Sequence, residues 1–218
     1  MNNKDLYLTD NSIAIDLINK YEYPYEVLPN IKEYIISLGN KLDNHYKKID
    51  NDIWISNKAT ISKSAEIIGP CIIDDDAEIR HNAFIRGSVI IGKGCVLGNS
   101  CEIKNSILFD EVDVPHFNYV GDSILGYKSH LGAGVIISNL KSDKKNVTIK
   151  YNDKTNDTGL RKVGAFLADN VEVGCNSVLN PGTIIGNNTS IYPLTSVRGY
   201  IPKDSIVKDK NNIIKKIS

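Results

Sequence analysis

Residues 55–102 read ISNKAT ISKSAE IIGPCI IDDDAE IRHNAF IRGSVI IGKGCV LGNSCE, and every hexad opens on Ile or Leu. The column Ile55, Ile61, Ile67, Ile73, Ile79, Ile85, Ile91, Leu97 continues to Ile103. A six-residue period suits neither a helix of 3.6 residues per turn nor a lone strand, whose faces alternate every two residues. It suits short strands joined by tight corners, each segment sending one large side chain inward. Four residues after each aliphatic stand Ala59, Ala65, Cys71, Ala77, Ala83, Val89, Cys95 and Cys101, nearly all small. A narrow three-sided interior needs that alternation, because protein interiors are close-packed.

The same period returns as Leu125, Leu131, Ile137 and again as Leu167, Val173, Leu179, Ile185, Ile191, Val197, with Ser177, Thr183, Thr189 and Thr195 in the small column. Three segments close one turn, so positions three hexads apart stack about one strand spacing, roughly 4.8 Å, from each other. The expected fold is all-β, a parallel β-helix of hexapeptide repeats over residues 51–205. The phase breaks twice, between Phe109 and Leu125 and between Asn139 and Leu167, where a loop excursion is expected at about 140–162. Loops on rigid scaffolds commonly carry sites.

The ends lack the hexad. Within residues 1–50, Ile13, Ile15, Leu17 and Ile18 predict a short helix before Pro24 and Pro29. A second helix follows, capped by Asn30, with Ile31, Tyr34, Ile35, Leu38 and Leu42 on one face. This small helical cap is expected to fold over the open first coil. Residues 206–218 form a basic tail, expected to be frayed or shortly helical.

Lys+Arg and Asp+Glu are equal at 26 each, so no net field points to nucleic acid or an anionic membrane. The first residues show no apolar signal region, and no run reaches the roughly 18 apolar residues of a membrane span. A soluble cytoplasmic protein is expected. The four cysteines are too few and too ill-spaced for a disulfide framework or a zinc site. Cys71, Cys95 and Cys101 occupy the small inward column as inert thiols, whereas Cys175 lies outside it.

Arg86 and Lys104 each follow an inward aliphatic and stand three hexads apart, so the repeat stacks them on one face. Two such cations repel unless an anion lies beside them. They are either solvated surface charges or a phosphate clamp, Arg supplying a planar fork and Lys a point charge. His116 lies two hexads beyond Lys104. A lone histidine is usually structural, but an imidazole near a cation clamp can serve as a base near neutral pH.

The stretch His116-Phe117-Asn118-Tyr119-Val120-Gly121-Asp122, followed by Leu131-Gly132-Ala133-Gly134-Val135-Ile136-Ile137-Ser138-Asn139, resembles a known acetyltransferase site. It is that of the bifunctional glucosamine-1-phosphate acetyltransferase / N-acetylglucosamine-1-phosphate uridyltransferases. It resembles equally the archaeal-type sugar-phosphate nucleotidylyltransferases with an acetyltransferase β-helix. The resemblance runs from about residue 53 to 205, and Tyr23-Pro24-Tyr25-Glu26-Val27-Leu28 is similar to the helical lead-in of the archaeal group.

The resemblance implies a left-handed β-helix, a homotrimer with sites between subunits, and N-acetylation of a hexosamine 1-phosphate (glucosamine-1-phosphate or galactosamine-1-phosphate) by acetyl-CoA. Such a reaction belongs to UDP-N-acetylglucosamine-type precursor synthesis. By that likeness His116 is the catalytic base, and Arg86, Lys104, Tyr119, Asn139 and Lys145 contact the substrate. His130 is also expected among the substrate-binding residues, standing where the family often has asparagine; Leu140 stands where it has an aromatic, and either departure would change which amino sugar fits. Cys175 and Pro193 match the acetyl-CoA side loosely, and no metal is called for. The family's nucleotidyltransferase domain is not matched, so uridylyl transfer is not expected. Two rivals keep the fold: a non-catalytic scaffold, and a γ-carbonic-anhydrase-like zinc protein using His81, His116 and His130.

Overall fold

In the computed structural model, residues 2–50, 52–151, 154–209 and 211–217 are described. Lys210 of the expected tail and Asn152 and Asp153 of the excursion lie outside them. Short strands stack into three parallel sheets, forming a β-helix of about eight turns. The first face runs from Ile53–Ser56 through Cys71–Ile73 to Tyr200–Ile201. The second runs from Thr60–Ile61 to Ser205–Asp209, and the third from Glu66–Ile68 to Ser196–Val197.

The hexad column is the interior. Ile55, Ile73 and Ile91 stack in register, and Ile73, Ile79, Ile85, Ile91, Leu97 and Ile103 are buried. The small column fills the gaps, with Cys71, Cys95 and Cys101 fully enclosed. Cys95 Sγ donates to the Phe109 carbonyl at 2.9 Å and Cys101 Sγ to that of Val114 at 3.2 Å. Burial pushes the Cys71 thiol up to about 12, so these thiols are inert at neutral pH.

The first phase break begins earlier than the aliphatic columns suggest. Ile91 stacks on Leu108, Leu97 on Val114 and Ile103 on Val120, each pair one position short of three full hexads. Leu108 then stacks on Leu125 with the same shortfall. One residue is lost at the corner between Lys104 and Ser106, and another between Gly121 and Ser123. Phe109 looked in phase because it too is buried, but it stacks on Tyr7 with ring centroids 4.9 Å apart.

The helices of the N-terminal segment lie along the first face rather than over the open end of the first coil. The middle residues of the first-face strands (Trp54, Ile72, Ile90, Ile107, Ile124, Phe166, Ile184) point away from the interior and are nevertheless buried. A sheet apolar on both faces needs a second layer, and residues 2–42 supply it. Leu6 O accepts from Asn187 Nδ2 at 2.7 Å, Asn11 O from the Asp110 N–H at 3.0 Å, and Gly39 packs on Trp54. The segment therefore runs down the first face from the upper turns to the lowest. The open edge is covered instead by a strand, Tyr46–Lys48, antiparallel to Ile53–Ser56.

Helices form at Ile15–Ile18 and Ile31–Gly39, near the expected positions. Asn30 does not cap the second. The 3₁₀ turn Leu28–Asn30 leads straight into that helix, and the Asn30 amide donates back to the Glu26 carbonyl at 2.9 Å. The described C-terminal residues are not helical either. Ser205–Asp209 completes the second face, and Asn212–Lys215 folds back antiparallel to it, closing the upper edge.

At the lower end, Asp75 accepts from Ser56 Oγ at 2.5 Å, Lys58 Nζ at 2.9 Å and faces His45 Nε2 at 2.5 Å. The Ser56 hydrogen bond, then those of Lys58 and His45, holds its carboxyl well below the usual range. A depressed folded-state pKa gives stability that is present above the unfolded value of about 3.9 and is lost as pH falls below it. Thermal unfolding followed from pH 6 to pH 3 should therefore show a falling midpoint. Asp75→Asn should make that fall shallower while lowering the midpoint at neutral pH.

Candidate active site on the third face

Ile103 stacks on Ile85, which brings Lys104 over Arg86 as the three-hexad spacing requires. The two cations do not share an anion; each has its own carboxylate. Arg86 Nη1 pairs with Glu102 Oε1 at 2.5 Å, and this hydrogen bond raises the guanidinium pKa further. Lys104 Nζ reaches both oxygens of Asp122, at 3.1 and 3.0 Å.

The shortened turns build the rest. Lys104 is in register with Gly121, and Tyr119 with Ile136, so Asn105, Asp122 and Asn139 succeed one another, one per turn, along one corner. Asn105 and Asp122 adopt φ of 44° and 51°, a left-handed conformation that Asn and Asp tolerate better than most residues. Asn105 Nδ2 donates to Asp122 Oδ1 at 2.9 Å. Asn139 Nδ2 donates to Asp122 Oδ2 at 2.6 Å and to Tyr119 Oη at 3.1 Å. Asp122 is only 4% exposed. Burial raises the Tyr119 hydroxyl pKa, so the phenol stays protonated. Gly121 is required here, because a Cβ would lie 2.6 Å from both Asn139 Nδ2 and Tyr119 Oη.

Arg86, Lys104, Tyr119 and Asn139 are thus brought together. His116 is close in sequence but stands at the next corner, where the second face turns into the third. It ends the strand Asp113–His116, with its side chain exposed and its ring centroid 6.0 Å from that of Phe117. Backbone bonds from Gly134 N–H to His116 O at 2.9 Å, Asn176 to Ala133 at 2.8 Å and Leu194 to Cys175 at 2.9 Å string these corners into one edge. His116, Cys175 and Pro193 therefore share an edge, and all three are exposed. His130 is elsewhere, on the second face, with Nδ1 2.9 Å from Glu172 Oε2. Lys145 lies exposed on the excursion, its N–H bonded to Asp143 Oδ1 at 3.0 Å. Among the described residues, no group of three or more His, Cys, Asp or Glu converges to hold a metal.

The excursion is folded rather than loose. A bridge between Leu140 and Lys162 closes its base, and Thr148–Tyr151 pairs with Lys154–Asp157 in a hairpin. Val147 and Ile149 are buried against Gly182, which seats the hairpin on the upper turns. A cleft of about 740 Å³ remains between them, lined in part by Ser138, Leu140, Lys141, Lys150, Arg198 and Tyr200. Ser138 and Leu140 flank Asn139, so this cleft opens beside the polar cluster; Asp143 also lines it and pairs with Lys141 at 3.2 Å, leaving Lys150 and Arg198 as its other cations.

Sequence reasoning gave no role to Asp122, Asn105, Lys150 or Arg198. Asp122 could have been found, since it ends the quoted motif at the point where the phase slips. Lys150 and Arg198 lie far apart in the chain and meet only because the hairpin folds back.

A family model described as the GMPPB C-terminal domain matches residues 67–158. The bifunctional sugar-1-phosphate nucleotidylyltransferase/acetyltransferase of Sulfurisphaera tokodaii is 33% identical over 210 residues, covering 87% of this chain and 51% of that protein. The bifunctional protein GlmU of Methanococcus maripaludis is 35% identical over 109 residues, 50% of this chain and 26% of that protein. The chain thus spans about half the length, or less, of these curated relatives. Among solved structures, the acetyltransferase domain of PglB from Neisseria gonorrhoeae in complex with acetyl coenzyme A is 13% identical, with a TM-score of 0.38. It covers 88% of this chain and 66% of that one, a likeness too low to bear on function. The chain, a β-helix of hexapeptide repeats, is thus similar in sequence to part of the bifunctional sugar-1-phosphate nucleotidylyltransferase/acetyltransferases.

Proposed function

We propose that this chain is an acyltransferase that moves the acetyl group of acetyl-CoA to the 2-amino group of glucosamine-1-phosphate or galactosamine-1-phosphate. The observation that carries this reading is the cluster of Arg86, Lys104, Tyr119, Asp122 and Asn139, whose Asn139 is flanked by Ser138 and Leu140 of the neighbouring cleft. Cations and a protonated phenol suit a sugar phosphate, and the adjoining cleft suits a long phosphate-bearing donor. His116 takes a proton from the amine as its nitrogen attacks the thioester carbonyl. The C–S bond then breaks, and the thiolate leaves and is protonated to free CoA. Positioning of the two substrates supplies much of the acceleration.

The exposed apolar side chains support a homotrimer with the site completed between copies. Phe117 is 59% and Leu194 80% exposed on the edge that carries His116, and Ile136 and Val178 are exposed on the third face. Phe117 and Leu194 also hold left-handed φ of 54° and 62°, which is costly for bulky residues and is often found at functional sites. Lys145, and His130 on its separate face, would reach the substrate across such a boundary. Light scattering should give about three times the 24.1 kDa of one chain. No helix among the described residues is long and apolar enough to cross a membrane; a cytoplasmic location is part of the proposal.

For the donor, the cleft favours phosphate contacts at Lys150 and Arg198. The edge around Cys175 and Pro193 carries the apolar Tyr192 and Leu194, and would suit the pantetheine arm instead.

Thiol release from acetyl-CoA, measured against both amino-sugar 1-phosphates, tests the reading; no release with either would end it. His116→Ala should lower kcat about 10²–10⁴-fold. Arg86→Ala should mainly raise KM for the sugar phosphate. Arg198→Ala and Lys150→Ala should each raise KM for acetyl-CoA by about tenfold, as expected for a lost charge-assisted hydrogen bond.

A further inference from the structure

We infer that Asp122 is a positioning residue that fixes which way the Asn139 amide faces, and so places a hydrogen-bond acceptor where the substrate amine lies. The inference rests on the acyl-transfer reading above and assigns a task to a residue that reading does not use.

The argument begins with what a carboxylate can do. Ionised Asp122 only accepts hydrogen bonds. Its Oδ1 takes Lys104 Nζ at 3.1 Å and Asn105 Nδ2 at 2.9 Å, while its Oδ2 takes Lys104 Nζ at 3.0 Å and Asn139 at 2.6 Å. The atom of Asn139 facing Asp122 must therefore be the nitrogen. The same nitrogen lies 3.1 Å from Tyr119 Oη, which accepts its other N–H. Both amide protons are then used within the cluster, and Asn139 Oδ1 is left as the amide's acceptor for a ligand.

The remaining groups follow in turn. Tyr119 Oη, having accepted from Asn139, keeps its own O–H to donate. Lys104 has three N–H groups, of which Asp122 engages two, leaving one. The site thus offers one acceptor at Asn139 and donors at Tyr119, Lys104 and Arg86. Its complement is a ligand with an N–H donor on one side and an anion on the other, as in an amino sugar carrying a phosphate. Without the Asp122 charge the amide could turn over and offer N–H to the amine, and the polarity would be lost.

The pair to compare is the amino-sugar 1-phosphate, read as KM, and the matching 2-deoxyhexose 1-phosphate, read as Ki. The latter keeps the anion and lacks the donor. In Asp122→Asn the amino-sugar KM should rise about tenfold or more, by more than the deoxy-sugar Ki, while KM for acetyl-CoA stays within about twofold. Equal losses for both sugars, accompanied by a higher acetyl-CoA KM, would mean that Asp122 only holds the fold, and the inference would be overturned. Should Asp122→Asn fail to fold, Asn139→Leu removes the amide while leaving the Lys104–Asp122 pair. It should erase the preference for the amino sugar, and a preference kept in that variant would also overturn the inference. Absence of any turnover by the unaltered protein would sink the acyl-transfer reading itself, whereas turnover with the preference intact in Asp122→Asn would sink only the role of Asp122.

Discussion

Each side of each turn must put one large aliphatic side chain and one small one into a triangular interior, while its backbone hydrogen-bonds to the turns above and below. The size of the triangle leaves little room for other turn lengths. Turns of three full hexads alternate large and small side chains, and a turn one residue shorter is accommodated by tightening a single corner. Surplus chain cannot stay in the wall. Leu125 and Leu167 stack although far more than one turn of chain separates them, and the excess leaves as the closed excursion from Leu140 to Lys162.

The shortened corners explain where the polar cluster lies. With two turns each one residue short, Asp122 comes over Asn105 and within reach of Lys104, and Asn139 follows at the same corner. The pairing of Lys104 with Asp122 is close and largely buried, at 3.0 Å with side chains 21% and 6% exposed. Coulomb attraction at an effective dielectric of 20 is worth about 5 kcal/mol at that distance, and desolvation of the two ions costs about as much. The pair therefore adds little net stability. Its effect is to specify where donors and acceptors point. Arg86 and Glu102, more exposed, add less still.

The first face obeys a different constraint. Its outward residues form a second apolar stripe from Trp54 to Ile184, which no solenoid wall can leave in water. The N-terminal segment answers that requirement, lying along the wall and using Leu6, Leu17, Ile18, Ile31 and Ile35 as its buried side. The segment thus covers the first face and leaves the third, which carries the polar cluster, uncovered by it.

The β-helix, its inward columns, its inert cysteines and the stacking of Arg86 with Lys104 were readable from the sequence, because a strict period records a repeated local requirement. The position of the first slip was not. Leu108 and Phe109 are both apolar and both buried, and only the Tyr7 ring packed on Phe109 separates their roles. The sequence also named Tyr119 and Asn139 without saying what joins them. That join, the Asp122 carboxylate, and the separation of His130 onto another face with Glu172, depend on which residues meet across turns. Periodicity specifies the spacing along the chain. The direction of each side chain at a shortened corner, and the folding of the N-terminal segment and the hairpin onto the wall, are decided only when the turns pack together.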